Sequence, residues 1–250
     1  MVVLAERRSL LIADRTPPDD TGSMNRTADE LANVADPVWP EMLRAVNSHD
    51  DARVIPLPRE RGMRVLEALQ VTARSALGAL ALNTGGLVVD HGWFRIFGGG
   101  GEGVPDLASV NSLPASGPPP ALLVAQDVLG GQFAIDGGGL RLNPGAVCYL
   151  GPDTLTWGDL GIGHGQFVFS AIEGHLAEAF ADLRWPGWEE EVSALAPGQG
   201  ITLYPPPFSE EGRDIGKVHR RPAPMEELVL FYADAAAQLN ERTDRECRTP

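Results

Sequence analysis

The run Asp90-His91-Gly92-Trp93 contains the two residues that come closest to an acid–base pair. Histidine titrates near neutral pH, and a neighbouring carboxylate can hold its ring as a general base. Adjacent side chains on an extended strand point to opposite faces, so Asp90 and His91 would not hydrogen-bond each other there. The sequence therefore favours a turn with a capped backbone over a catalytic pair, and we predict no catalytic residue.

Residues 98–103 have the G-x-G-x-x-G spacing of a dinucleotide-binding loop, and Asp127 lies at the end of a later strand. Such a loop needs the N-terminus of a helix to hold the phosphate groups. The prolines between residues 105 and 120 leave no room for a helix long enough to cross over. A flexible loop is the better interpretation, and we predict no cofactor.

Several aspartates near predicted turns could hold a metal together with His164, but their spacing matches no known loop such as the EF-hand. Aspartate is common in turns because its side chain bonds nearby backbone amides. These residues are Asp127, Asp136, Asp153 and Asp159. Ser75, Ser170 and Cys148 lack the flanking motifs of catalytic nucleophiles. The sequence therefore predicts neither a metal site nor covalent catalysis.

The five tryptophans could serve either the core or a binding surface, because large rings with one polar edge suit both, and we predict that most of them lie in the core. The run Trp185-Pro186-Gly187-Trp188 predicts a turn that exposes at least one indole. We expect Trp157, Trp185 and Trp188 to be anchors for a protein partner. The other candidate binding residues are Asp90, His91, Trp93 and Asp127.

Composition limits the partners that this chain can have. The 250 residues are 43% hydrophobic and 22% charged, as in ordinary globular proteins. The net charge of −14 would repel a phosphate backbone, so we predict no nucleic acid partner; the charge favours solubility first, and it would also attract a basic protein. No apolar run approaches the roughly 18 residues of a membrane span. Cys148 and Cys247 predict no disulfide framework, so we expect a cytoplasmic protein.

The chain is predicted to contain one folded domain with two flanking segments. Residues 1–23 show no sustained period of apolar residues, so we predict that they form a disordered extension. Alternatively, translation starts at Met24 instead of Met1, and this extension is mis-assigned. Residues 24–240 predict a single α+β domain with an exposed loop rich in glycine and proline at 98–120. Residues 241–250 predict a polar tail.

Helices are predicted where apolar residues recur every three or four positions or where caps occur. Thr27 and Glu30 form a capping box for a first helix, and Asp36-Pro37 predicts the start of a second. Four more helices are predicted. One contains Met63, one spans residues 165–183, one spans residues 188–195, and the last begins at Pro224.

Between residues 76 and 160 most of the sequence alternates with period two, which is typical of strands. Residues 76–90 predict a β-hairpin whose turn is at 83–86. Further strands are predicted in WFRIF, ALLVAQD, QFAID, AVCYL, LTWGDL and ITLYPPPF. Because the links have hairpin length, the predicted fold class is α+β, with a mostly antiparallel sheet and helices packed on one side.

Two family resemblances accompany these patterns. The runs RERGMRVLEALQVTARSALGALALNTGGLVVDHGWFRIFGGG and VCYLGPDTLTWGDLGIGHGQFVFSAIEG resemble an uncharacterised bacterial family known only as a domain of unknown function, over about residues 25–230. That resemblance implies no reaction. The run NTGG, the pair Gly130-Gly131, and Trp157 ahead of a helix with Phe167 are more loosely similar to the SUKH superfamily of immunity and interaction modules. This second resemblance implies a SUKH-like α+β architecture and a binding role.

Taken together, these features predict a non-enzymatic protein-binding module, with an immunity-type protein against a basic toxin domain as its most specific form. The alternative is a small-molecule sensor or enzyme. Its pocket would be lined by Asp90, His91 and Asp127 beside the loop at 98–120, which would act as a lid. The sequence leaves the oligomeric state open.

Overall fold

The computed structural model describes residues 25–113 and 119–246. The predicted extension at residues 1–23, Met24 as a start, and the last four residues of the predicted tail lie outside that range. No helix among the described residues is both long enough and apolar enough to cross a membrane.

The described chain has the α+β fold that the sequence predicts, built on a seven-stranded antiparallel sheet. Each strand pairs with the next one along the chain. Strands β2 and β3 are buried at every position, so both faces of this part of the sheet are covered. The strands are β1 (Arg53–Ile55), β2 (Gly86–Val89), β3 (Phe94–Phe97), β4 (Ala121–Asp127), β5 (Gln132–Asp136), β6 (Ala146–Leu150) and β7 (Trp157–Gly163).

Eight α-helices occur among the described residues, and two short 3-10 helices at Asp90–Gly92 and Glu178–Leu183 accompany them. The α-helices are α1 (Ala28–Ala32), α2 (Trp39–Asn47), α3 (Arg59–Leu69), α4 (Ala76–Asn83), α5 (Leu107–Val110), α6 (His164–Ile172), α7 (Trp188–Ser193) and α8 (Met225–Glu246).

The first two helices test the predicted caps. The box of Thr27 and Glu30 is confirmed, because each side chain accepts a hydrogen bond from the backbone N–H of the other residue. The predicted start of α2 at Asp36-Pro37 is wrong. Asp36 has a left-handed φ of 55°, whereas an N-cap residue is normally extended, and the helix begins after Val38.

The predicted hairpin at 76–90 is wrong in its first half, because residues 76–83 form helix α4. The Ser75 hydroxyl accepts a hydrogen bond from the Gly78 N–H and caps this helix. Most of α4 is buried, so it has no polar face to show a helical period. Helix α3 packs closely on it through Gly62, where a β-carbon would lie 2.2 Å from the Leu82 carbonyl oxygen.

The single helix predicted over 165–183 is also wrong, because α6 ends at Ile172 and a 3-10 helix begins at Glu178. Gly174 separates them with a φ of 75°, which glycine adopts without strain. Both elements still reach one core. Phe167 and Phe180 lie 4.9 and 5.9 Å from the ring of Phe133 on β5.

The segment predicted as an exposed loop is largely folded onto the protein over residues 98–113. Val104, Leu107 and Ala108 are buried, and the last two lie in the short helix α5. The Asn111 side chain hydrogen-bonds both the N–H and the carbonyl of Leu123 at the edge of β4. The prediction of an exposed loop is therefore wrong for 98–113, because apolar side chains anchor it.

A second, two-stranded sheet follows, formed by β8 (Gln199–Tyr204) and β9 (His219–Pro224). Helix α8 begins at Met225 as predicted, and it continues through Glu246, into the segment predicted as a polar tail. A small apolar cluster separate from the main core secures this helix. It consists of Leu155, Met225, Leu228 and Tyr232.

Candidate functional site

Five of the seven predicted binding residues come together in one cluster, although they belong to two distant segments of the chain. The Trp93 ring lies 5.2 Å from Trp188 and 6.1 Å from Trp185. The His91 ring lies 5.7 Å from Trp188, with its edge toward the indole. We call Asp90, His91, Trp93, Arg184, Trp185 and Trp188 the tryptophan cluster.

Arg184 joins the two segments of the tryptophan cluster. Its guanidinium donates to the Asp90 carboxylate, and the side chains of this pair are only 11% and 10% exposed. Its Cζ atom lies 4.8 Å from the Trp93 ring and 4.2 Å from the Trp188 ring, which is cation–π geometry. Burial raises the pKa of Asp90, and the attraction of Arg184 offsets part of the rise.

The prediction that the turn at 185–188 exposes an indole is wrong, because Trp185 and Trp188 are only 3% and 9% exposed. Gly187, with a φ of 82°, begins α7 so that both rings face Trp93. The Trp185 indole N–H donates to the Glu191 carboxylate. Of the three proposed anchors, Trp157 on β7 is half-buried and lies outside the cluster. Its binding role stays a prediction.

The predicted turn at residues 90–92 is confirmed, and its backbone is unusual. Asp90, His91 and Gly92 have successive φ values of 56°, 56° and 94°, and two of these residues are not glycine. The Trp93 N–H donates to the Asp90 carbonyl over 2.7 Å, and the His91 N–H donates to the Asp51 carbonyl over 3.2 Å. Asp90 is bound to Arg184, so it does not orient the His91 ring.

Asp127 lies apart from the tryptophan cluster and closes the turn between β4 and β5. Its buried carboxylate accepts hydrogen bonds from the Tyr149 hydroxyl at 2.6 Å and from the Leu129 and Gly131 N–H groups. Burial raises the pKa of Asp127, and these hydrogen bonds oppose the rise. Of Asp90, His91 and Asp127, only His91 lines the polar cleft described below, and a pocket shared by all three stays a prediction.

Two of the remaining predicted aspartates, Asp136 and Asp159, accept backbone hydrogen bonds. The Asp136 carboxylate accepts from the N–H groups of Gly138, Leu140 and Leu142, and that of Asp159 accepts from Gly161. Over the described ranges no three His, Cys, Asp or Glu side chains are grouped so that they could hold a metal ion.

A polar cleft of about 210 Å³ lies beside His91, and the sequence patterns did not reveal most of its charged residues. Two arginines and two aspartates line it: Asp50, Asp51, Arg53 and Arg95. Arg95 is 1% exposed, and its guanidinium donates to the Gln199 carbonyl over 3.0 Å. Arg53 pairs with Glu102 at 3.0 Å, which brings the segment 98–113 to the rim.

Comparison with known proteins identifies the family. The chain is 35% identical over 184 residues to the uncharacterized protein YbfG of Escherichia coli K12, covering 72% of this chain and 84% of that protein. It is 29% identical over 192 residues to an uncharacterized protein of Haemophilus influenzae, covering 74% and 84%. No solved structure matches. Residues 28–228 match the family described as protein of unknown function DUF2625, and the chain belongs to that family.

Proposed function

We propose that this chain is a non-enzymatic, protein-binding module of the cytoplasm, and that a groove between β8, β9 and α8 is its contact surface. The observation that carries the proposal is a group of large apolar side chains left exposed around this groove. Tyr204 is 71% exposed and Phe231 is 48% exposed. Exposed apolar patches with polar rims are typical of surfaces that bind proteins.

The groove has a volume of about 680 Å³ and combines residue types that dominate binding hot spots. Tyr204 and Phe231 contribute aromatic rings, and Arg220 and Arg221 lie on the strand side. The Phe231 ring is held 6.0 Å from Phe208 and 5.1 Å from Tyr232. These ring contacts fix the orientation of Phe231, which lowers the entropy cost of contact with a partner.

The local charge of the groove favours a partner segment that is apolar and acidic. His219, Arg220 and Arg221 line it, and Glu227 is the single carboxylate among the lining residues. Arg220 already pairs with Glu191 at 3.4 Å, so Arg221 is the guanidinium that a partner would meet, on a chain whose net charge is −14. A segment with aromatic or aliphatic side chains flanked by carboxylates would be complementary to it. The prediction of a basic toxin domain depends on the net charge and on the SUKH resemblance, and it makes no use of this groove.

The immunity role implied by the SUKH resemblance stays a prediction, as does the resemblance itself. A role as an immunity protein is one form of protein binding, so the groove supports the broader class. The two relatives are themselves uncharacterized proteins, so they add no partner to it.

The double variant Tyr204→Ser/Phe231→Ser tests the groove. We expect it to lose affinity for the native partner by about 2 kcal/mol or more, because such aromatic side chains are frequent hot spots. The partner is captured from a lysate of the source organism with the unchanged chain, identified, purified, and titrated against each variant by calorimetry at low and high salt.

The matched control is Leu142→Ser, which removes another exposed apolar side chain, in the connection between β5 and β6. It should bind as tightly as the unchanged chain. A partner that binds the double variant equally well contradicts the proposed surface. An acidic partner segment whose binding weakens with salt supports the assigned chemistry, whereas a basic contact surface on the partner would contradict it.

A further inference from the structure

The polar cleft beside His91 contains opposite charges that do not neutralise each other. Arg95 and Arg53 line it together with Asp50 and Asp51. Among the described residues, neither aspartate forms an ion pair, and Arg53 is paired with Glu102 instead. Opposite charges that share a cleft without pairing can be bridged by a ligand that carries both signs.

Arg95 is the residue that most needs an explanation. A buried guanidinium without a counter-ion is costly, and Arg95 has no carboxylate within ion-pair distance in the described chain. Its Nε atom is buried without a hydrogen-bond partner. Burial lowers the pKa of Arg95 to about 10, so it stays charged at neutral pH. The nearby Asp127 carboxylate is already occupied by Tyr149 and two backbone N–H groups.

One wall of the cleft is built with backbone strain. His91 and Gly92 line it, and they belong to the turn with three successive positive φ values. A non-glycine residue in this region costs of order 1 kcal/mol or more, and such strain clusters at ligand-binding sites. The Ser193 hydroxyl donates to the His91 carbonyl over 3.3 Å, and Arg184 holds Asp90. The wall is therefore fixed before any ligand binds.

The size of the cleft limits the ligand. The volume of about 210 Å³ lies below the roughly 300 Å³ at which pockets for drug-sized ligands begin, so it favours a small molecule over a nucleotide or a long peptide. The two aspartates would repel a phosphate or a dicarboxylate. A small molecule with one carboxylate and one ammonium group would satisfy both signs of charge.

We propose that the polar cleft binds a small amino acid or a zwitterion of similar size, with its carboxylate toward Arg95 and its ammonium group toward Asp50 and Asp51. This site is separate from the groove of the proposed function, since the two share no lining residue. The assignment holds whether or not a protein partner binds the groove.

The experiment is calorimetric titration of the full chain with each of the twenty protein amino acids, and with propionate and ethylamine as single-charge analogues of alanine. We expect at least one small amino acid to bind, and each analogue of alanine to bind at least about tenfold more weakly than alanine, because one charged contact is lost. The proposal would be overturned if none of the twenty amino acids bound. So would equal binding of alanine and propionate.

Variants separate the ligand role of Arg95 from a structural one. Arg95→Met should weaken binding about a hundredfold while leaving the midpoint of thermal unfolding unchanged or higher, because methionine needs no counter-ion. Asp51→Asn should weaken binding about tenfold. The control Asp214→Asn changes an exposed aspartate of another surface and should bind normally. If Arg95→Met does not fold, the Asp51→Asn variant tests the ligand site by itself. Unchanged binding of the amino acid by Asp51→Asn would then contradict the proposal.

Discussion

Replacement of Arg184 with methionine lowers the free energy of unfolding by about 3–5 kcal/mol, because the buried Asp90 carboxylate loses its counter-ion. The Trp93 and Trp188 rings lose their cation–π contacts in the same change. Urea unfolding at pH 7 measures this loss, and tryptophan fluorescence follows it. The turn at residues 90–92 should lose its fixed geometry as well, since Asp90 is held by Arg184.

A double-mutant cycle shows whether the effect belongs to the pair. Asp90→Asn/Arg184→Met should be less destabilised than the sum of the two single variants, because no uncompensated charge remains buried. The control Lys217→Met breaks the exposed pair of Lys217 and Asp214, and we expect an unchanged unfolding midpoint. Strictly additive losses in the cycle would show that Asp90 and Arg184 act independently.

The protein should lose stability between pH 6.5 and about 4 because of His164, the first residue of α6. Burial lowers the pKa of His164 from 6.5 to about 4 in the folded chain. Above pH 6.5 the side chain is neutral in both states, so it contributes no pH dependence. As the pH falls, the unfolded state binds the proton first, which costs roughly 3 kcal/mol of stability by pH 4.

The variant His164→Gln isolates this contribution, because glutamine does not titrate. The difference in unfolding free energy between pH 7 and pH 4 should be about 3 kcal/mol smaller in His164→Gln than in the unchanged chain. The matched control is His175→Gln, which removes an exposed imidazole beside Glu173. An identical pH dependence in His164→Gln would show that the pKa of His164 is the same in the folded and unfolded chain, which contradicts the prediction.

Much of the sheet could be predicted because its strands are short and glycine turns separate them. Strands β3 to β7 lie where period-two patterning places them, and Gly130 and Gly138 occupy turns with positive φ. Each of these signals comes from residues that are close together in the chain, so it can be recognised in one sequence without knowledge of the fold. The antiparallel order follows because hairpin-length links leave neighbouring strands few other ways to pair.

Helix α4 could not be recognised by period because six of its eight residues are buried. Alternating alanine and leucine then resemble a strand, although both residues favour helices. The break after Ile172 could not be recognised either, because the helical spacing of apolar residues continues past Gly174 in the sequence. Phe167 of α6 and Phe180 of the following 3-10 helix both pack on Phe133, although a turn at Gly174 separates the two elements.

The candidate sites also combine features that the sequence reveals with features that depend on long-range contacts. The tryptophans and the run at 90–93 stand out in sequence by residue type, but their meeting through Arg184 is a long-range contact that no local pattern contains. Arg95 could have been found, because a charged residue in the otherwise apolar run WFRIF must either reach solvent or be compensated. The exposed positions of Tyr204 and Phe231 depend on how α8 docks and could not be read from sequence.

The separate apolar cluster under α8 has a consequence for motion. Leu228 and Tyr232 hold this helix through a cluster of four buried residues, whereas strands β3 to β5 belong to the much larger main core. Amide hydrogens of α8 should therefore exchange with deuterium through local opening, well before those of the central strands. Phe231 lies on the same helix, so a partner meets a surface that opens without global unfolding. Occupancy of the groove would slow exchange there first.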